Sequence, residues 1–182
     1  MKAWQHFKTI TQHRWQVRQG CFKVGLIWQG LTHDLSKYSP TEFRVGAKFW
    51  TGNRSPNAFE REEKGYSESW IHHKGRNRHH FEYWTDLSLD SLTYEPVPMP
   101  RKYLVESVMD RIAACKIYQG SNYTDASPIE YFCRSIDQGL MHEQTRKELM
   151  YLLEMLRDKG EKETFSYIKH TVLKGKPFPW EE

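Results

Sequence analysis

Histidine and aspartate are the residue types in this sequence whose spacing suggests chemistry. His33 and Asp34 are adjacent, and four of the nine histidines lie between residues 72 and 80. Another carboxylate, Asp110, lies within an otherwise apolar segment. Neutral imidazoles and carboxylates are ligands that suit zinc, iron, manganese or nickel. These residues therefore predict a site for one or two divalent transition metal ions.

Each of these features also has a simpler explanation. The histidine-rich segment could be a solvated loop beside Lys74, Arg76 and Arg78. Asp110 could pair with Arg111 on a helix surface. However, a charged aspartate on an apolar helix flank is costly to bury unless a cation compensates it. Each residue by itself fits a simpler explanation, but a metal site explains all of them together.

The elements that must position these residues are helices. Apolar residues recur every three or four positions, and prolines and glycines separate the segments, which predicts an all-α protein. The predicted helices cover residues 4–17, 21–35, 40–50, 58–73 with a break or kink near Gly65, 79–85, 101–118, 127–137, 142–159 and 162–173. We expect residues 86–99 to form an extended loop.

The helices are expected to form one domain over residues 1–182. Its metal-site core would cover about residues 1–120, and helices over about 127–174 would act as a scaffold or as the surface of a homodimer. Helical bundles build metal centres from side chains on separate helices. His6 and His13 share one face of the first helix, because they are seven residues apart.

Composition narrows the class of partner. The formal net charge is +4 and the sequence pI is about 8.9, with lysine and arginine spread along the chain. This distribution does not favour nucleic acid, and it is compatible with a small anionic substrate. No apolar stretch approaches the 18 residues of a membrane span. Three widely spaced cysteines fit a reduced compartment. We expect a cytoplasmic protein without a membrane partner.

The order of the motifs resembles a known superfamily. His6, His33-Asp34, the pairs His72-His73 and His79-His80, and Asp110 are arranged as in the HD-domain superfamily of helical metal-dependent phosphohydrolases. The stretch His-Asp-Leu-Ser-Lys at 33–37 is similar to the HD-GYP phosphodiesterase motif. Ser36 stands where that motif has glycine, and no Gly-Tyr-Pro follows the histidines. Specificity for cyclic dinucleotides is therefore not implied.

A closer resemblance covers about residues 4–174. Residues 33–43, 72–84 and 99–103 resemble a bacterial and phage family of unknown function with HD-like character. That resemblance carries no activity with it.

The resemblance implies a ligand set. His33, Asp34 and Asp110 are the first ligands, with a histidine of the first helix, either His6, which is preferred, or His13. A second ion would be held by His73, His79 and His80, in preference to His72.

The chemistry that this resemblance implies is metal-assisted hydrolysis of a phosphate ester or nucleotide. Asp34 would bridge the ions and hold the attacking water, and Lys37 would neutralise charge on the phosphoryl group. Arg76 and Arg78 are the predicted phosphate contacts. Lys37 could instead be a solvated cation at a helix end. Two other functions stay open: redox chemistry at a two-metal centre, and a metal-stabilised binding protein without turnover.

Overall fold

A 23-residue helix, α1 (Lys2–Val24), lies against four other helices of the protein. The computed structural model describes residues 1–135 and 140–181. After α1 come seven further helices in the described ranges: α2 (Ile27–Thr32), α3 (Pro40–Phe49), α4 (Pro56–Lys64), α5 (Glu68–Lys74), α6 (Arg101–Gln119), α7 (Ser127–Ser135) and α8 (Glu143–His170). Together they form one compact, predominantly α-helical domain, which confirms the predicted fold class.

The prediction of an extended loop over residues 86–99 was wrong in part. A short antiparallel hairpin, β1 (Thr85–Leu87) and β2 (Tyr94–Pro96), forms there, with Thr85 opposite Pro96 and Leu87 opposite Tyr94. Strands of three residues are too short to show an alternating pattern of apolar and polar residues. The hairpin forms through backbone pairing between the two strands, and the sequence pattern does not predict it.

Two helix boundaries also differ from the prediction. Helix α1 continues through Gly20 to Val24, so the helix predicted over 21–35 is divided between the end of α1 and α2. The next residue, Gly25, has a left-handed φ of 91°, which suits a glycine at a helix C-cap. Gly20 is tolerated because α6 approaches it closely: a Cβ there would lie 2.8 Å from the sulfur of Met109. The helix predicted over 79–85 is replaced by a turn, a 3-10 turn at Phe81–Tyr83 and β1.

The C-terminal helices agree better with the pattern of glycines. Helix α8 is interrupted at Gly160, whose φ of 76° and ψ of 173° are not helical, so the two predicted helices are two parts of α8. Helix α7 ends within the described residues at Ser135, and the predicted end near residue 137 lies outside them.

The buried face of α1 changes character along its length. Its C-terminal half contributes Val17, Cys21 and Val24 to an apolar core shared with α6, α7 and α8. Its N-terminal half buries His6 and His13 instead. The buried histidines and the apolar core therefore lie next to each other along the same face of α1. No helix of the described ranges has the length and apolar composition needed to cross a bilayer.

Candidate metal centre

Seven side chains from separate elements converge beside the N-terminal half of α1. Each element contributes one or two of them. Helix α1 provides His13, the end of α2 provides His33 and Asp34, α5 provides His73, the following turn provides His79 and His80, and α6 provides Asp110.

Asp34 has an unusual backbone conformation. Its φ of 52° is in the left-handed region, between the end of α2 and the 3-10 turn Leu35–Tyr38. Aspartate is one of the few residues other than glycine that visit this region. Such conformations cluster at functional sites, where the surrounding structure compensates their cost. The Asp34 carboxylate is fully buried, with 0% exposure.

The first cluster consists of His13, His33, Asp34 and Asp110, whose ligand atoms all lie within 4.8 Å of one another. His13 Nε2 is 2.9 Å from Asp110 Oδ1. His33 Nε2 is 3.3 Å from Asp34 Oδ2 and 3.4 Å from Asp110 Oδ1. Two imidazoles and two carboxylates therefore face one small volume.

The second cluster consists of Asp34, His73, His79 and His80, again within 4.8 Å of one another. Asp34 Oδ1 is 3.4 Å from His73 Nε2 and 3.4 Å from His79 Nε2. The Oδ2 atom faces the first cluster and the Oδ1 atom faces the second. One carboxylate is thus shared by both clusters.

These separations are compatible with ligands around a metal ion. Bonds of about 2.1 Å place neighbouring ligand atoms about 3.0 Å apart in octahedral and about 3.4 Å apart in tetrahedral coordination. The distances from Asp34 and Asp110 to their nearest histidine nitrogens are 2.9 to 3.4 Å.

Most of the atoms that face the clusters form no hydrogen bond. In the described part of the chain, four imidazole nitrogens and two carboxylate oxygens of the clusters are buried without a hydrogen-bond partner: His13 Nε2, His33 Nε2, His79 Nε2, His80 Nε2, and Asp34 Oδ1 and Oδ2. Lys37 Nζ lies 2.6 Å from Asp34 Oδ2, but without hydrogen-bond geometry. Buried polar atoms are nearly always satisfied in proteins. This donor set fits divalent metal ions.

A glutamate of α6 holds two of these histidines from behind. Glu106 Oε1 is 2.9 Å from His33 Nδ1 and 3.3 Å from His79 Nδ1. If both Nδ1 atoms donate to this oxygen, both Nε2 atoms present lone pairs to the clusters. Carboxylates behind ligand histidines orient the ring and raise its basicity.

A second glutamate plays the same part for His73. Glu42 Oε2 is 2.8 Å from His73 Nδ1, and Glu42 Oε1 is 2.7 Å from His72 Nδ1. His73 therefore presents Nε2 to the second cluster. His72 belongs to neither cluster.

The electrostatics of the clusters favour ionised carboxylates. Burial would raise the pKa of Asp34 and of Asp110, but neighbouring positive groups outweigh it and hold both pKa values well below the usual range. For Asp34 the main groups are the protonated ring of His33 and then Lys37. The surrounding carboxylates outweigh burial and hold the pKa of His33 well above its usual range, so a metal ion would displace a proton from this ring on binding. Burial and the charge of Lys37 lower the pKa of His13, which favours a neutral imidazole. A metal ligand needs this protonation state.

A cavity of about 470 Å³ opens beside both clusters. It is large enough for a small organic ligand. Lys37 and ligands of both clusters line one part of it, and the rest of its wall is rich in aromatic and cationic side chains: Trp50, Trp70, Phe81, Tyr118 and Tyr131, with Arg54, Arg61 and Arg111.

The two arginines predicted to contact phosphate lie elsewhere. Arg76 and Arg78 are exposed and do not line the cavity. Arg76 donates to the carbonyl of His72, and Arg78 donates to the hydroxyl of Tyr103 at 3.1 Å. Arg111, directly after a cluster residue, lines the cavity, and its Nε is buried without a hydrogen-bond partner.

Six of the seven residues predicted as ligands lie in the clusters: His33, Asp34, His73, His79, His80 and Asp110. His6 does not, and His13, the alternative on the same helix face, takes the place in the first cluster. His6 packs instead against Gly46 of α3, where a Cβ would lie 2.1 Å from its Nε2. It still lines the cavity.

Sequence reasoning missed Glu42 and Glu106. Glu106 precedes Asp110 by four residues on the same face of α6, so helical spacing contained a signal for it. Glu42 stands three residues after Ser39, a spacing typical of a capping box at a helix start, so its position in the sequence indicates a helix boundary and not a metal site. The Ser39 hydroxyl does accept from the Glu42 backbone at 3.5 Å, but the Glu42 carboxylate faces the histidines of α5.

Comparison with known proteins identifies the family of this chain, but it does not indicate an activity. No curated protein and no solved structure matches the chain. The family model described as "Family of unknown function (DUF5662)" matches residues 2–155, which include all seven side chains of the two clusters. The chain therefore belongs to this family of unknown function.

Proposed function

We propose that this protein is a metal-dependent hydrolase of the HD type that acts on a small phosphate ester, such as a nucleotide. The observation that carries the proposal is the buried Asp34 carboxylate, whose two oxygens face two histidine clusters beside a cation-lined cavity. The order of these residues along the chain also resembles that of HD-domain phosphohydrolases.

The two clusters would hold two divalent ions, with Asp34 shared between them. Ions at such sites activate water and act as Lewis acids toward a phosphoryl oxygen. Glu42 and Glu106 would hold His73 and His33 in the ligating orientation.

Two cations are placed to bind the anionic substrate. Lys37 is 29% exposed and lines the cavity beside Asp34. Arg111 lines the same cavity with an unpartnered Nε. A preorganised positive charge stabilises the charge that develops on a transferring phosphoryl group. The guanidinium can also bind a phosphate with two parallel hydrogen bonds.

The aromatic wall of the cavity suits an organic group beyond the phosphate. The Trp70 ring is 4.8 Å from that of His80 and 5.6 Å from that of His73, between centroids. Aromatic side chains offer flat apolar surface for a planar group. A nucleotide combines such a group with a phosphate.

The cationic side chains of the cavity favour hydrolysis over peroxide disproportionation, because peroxide is a small neutral molecule that needs no cations. Four side chains of the cavity wall are cationic: Lys37, Arg54, Arg61 and Arg111.

The test uses protein purified without an affinity tag, with metal content measured by elemental analysis. We expect one to two equivalents of a transition metal, and phosphate release from at least one member of a broad phosphate-ester panel. Asp34→Asn should lose both metal and activity. Metal without phosphate release, but with turnover of peroxide or oxygen, would favour redox chemistry. Less than a tenth of an equivalent after expression in metal-supplemented medium would overturn the metal site itself.

A further inference from the structure

The outer face of α1 carries a stripe of exposed aromatic residues. Trp4, Phe7, Trp15 and Phe22 lie within about 80° of arc at 100° per residue. Their exposures are 59%, 38%, 54% and 36%. His13, on the buried face of α1, lies roughly 160° from the middle of this arc. The stripe is therefore separate from the candidate metal centre.

Helix α2 extends this apolar surface. Ile27, Trp28 and Leu31 are 50%, 73% and 41% exposed. Helix α2 packs closely on the stripe, because a Cβ on Gly30 would lie 3.0 Å from the ring of Phe22. We call these seven residues, four on α1 and three on α2, the aromatic stripe. Its five aromatic side chains expose roughly 400–650 Å². The largest apolar patch on a monomer is commonly about this size and is often functional.

The charge of this segment is one-sided. Residues 1–33 contain five lysines and arginines and no aspartate or glutamate. The rest of the chain then has 22 basic and 23 acidic residues, so the whole positive excess lies in the segment that carries the stripe. Lys8 lies 5.3 Å from the ring centre of Trp4, and Arg18 lies 5.1 Å from that of Phe22. Cations therefore flank the aromatic rings.

We propose that the aromatic stripe docks on the surface of an anionic lipid bilayer. Helices that lie in the membrane interface have tryptophan, phenylalanine and leucine on one face and are rich in lysine and arginine on the polar face. Tryptophan favours the headgroup region, and each nearby cation strengthens attraction to anionic lipid. This proposal replaces the expectation, drawn from the lack of a membrane-spanning apolar stretch, that the protein has no membrane partner.

Two other occupants suit the stripe less well. A second copy docked through the same face would bring ten cations together without an acidic residue from either segment. Single-stranded nucleic acid would stack on the aromatic rings, but the aliphatic residues Ile27 and Leu31 offer it no stacking surface.

The test is sedimentation of the full-length protein with vesicles of phosphatidylcholine alone or with 30% phosphatidylglycerol. We expect binding only to the anionic vesicles, reduced at least tenfold when salt is raised from about 0.1 to about 0.5 M. Trp4→Ser/Trp15→Ser/Trp28→Ser should reduce the partition coefficient at least tenfold. The matched control is Leu89→Ser/Tyr94→Ser, which removes exposed apolar residues of the hairpin at 85% and 76% exposure. It should bind like the wild type.

The cationic contribution is tested separately. Lys8→Gln/Arg18→Gln should weaken binding several-fold, whereas Lys162→Gln/Lys169→Gln, on exposed positions of α8, should not. Circular dichroism of each variant checks the fold. The proposal is overturned if the wild type does not bind anionic vesicles, or if the tryptophan variant binds like its control. It is also overturned if the wild type is a dimer that the tryptophan variant dissociates, or if a single-stranded oligonucleotide binds instead of vesicles. Because His13 faces inward, His13→Ala should bind vesicles normally, so the result is independent of the proposed hydrolase activity.

Discussion

Glu106 Oε1 lies 2.9 Å from Nδ1 of His33, on the side of the imidazole ring away from the first cluster. This contact turns His33 Nε2 toward the shared Asp34 carboxylate, 3.3 Å away. Glu106 is not one of the seven residues of the two clusters, but it holds one of their histidines in position.

We expect Glu106→Gln to keep the fold and to weaken metal binding by about 10- to 100-fold, the usual cost of losing a carboxylate behind a ligand histidine. Competition with a chelating dye measures the change in Kd. Glu148→Gln is the matched control, because Glu148 is also a buried glutamate but pairs with Gln144 and Arg101. Equal affinities for the two variants would show that Glu106 has no part in metal binding.

His13 and His6 allow a direct comparison on one helix. Both are 7% exposed, but only His13 belongs to a cluster. We expect His13→Ala to lose about half of the bound metal and His6→Ala to retain it, as measured by elemental analysis. Both variants lose packing, so thermal stability should fall in both. Metal loss in His6→Ala alone would restore the preference for His6 drawn from the sequence.

Lys37 should act on the substrate and not on the metal. We expect Lys37→Ala to retain metal and to lower kcat for phosphate-ester hydrolysis by about 10²- to 10³-fold, the scale of removing one preorganised charge stabiliser. Lys48→Ala, at an exposed lysine paired with Glu63, should retain the wild-type rate. A wild-type kcat in Lys37→Ala would leave Lys37 as a cation at a helix end.

The surroundings of Glu60, which lies outside the two metal clusters, predict that the stability of the protein depends on pH. This buried carboxylate at the junction of α4 and α5 accepts from the hydroxyls of Ser67 at 2.7 Å and Ser69 at 2.8 Å, and pairs with Lys64. Burial opposes ionisation, but these contacts outweigh it and lower the pKa of Glu60 from 4.5 to about 2. The stabilisation is therefore complete above the unfolded-state pKa and is lost as pH falls toward about 2.

In metal-free protein, we expect Glu60→Gln to lower the free energy of unfolding by roughly 2 kcal/mol at pH 6, and the difference from wild type to shrink at pH 3. Urea unfolding at both pH values measures it. Glu63→Gln, on the exposed side of the same helix, should change the free energy by less than about 1 kcal/mol. A difference between wild type and Glu60→Gln that grows as pH falls would have the wrong sign for this mechanism.

The sequence by itself determined the fold class and most of the candidate ligands. Apolar residues repeat with helical spacing through α1, α6 and α8, and burial of such faces is what drives helices together. Histidines and aspartates are few, and their chemistry is specific. Their types and order therefore suggested the clusters without knowledge of distances.

Only the tertiary structure decided which side chains meet. His6 and His13 share one helix face, so their spacing along α1 could not show which of them is a ligand. Only His13 lies close enough to the end of α2 and to α6 to join a cluster. Glu42 looked like a capping residue because its partners on α5 are thirty residues away in sequence. Arg78, beside the histidines in sequence, points to Tyr103, whereas Arg111 reaches the cavity. Local spacing determines which face of a helix a residue lies on, but only packing between helices determines what that face meets.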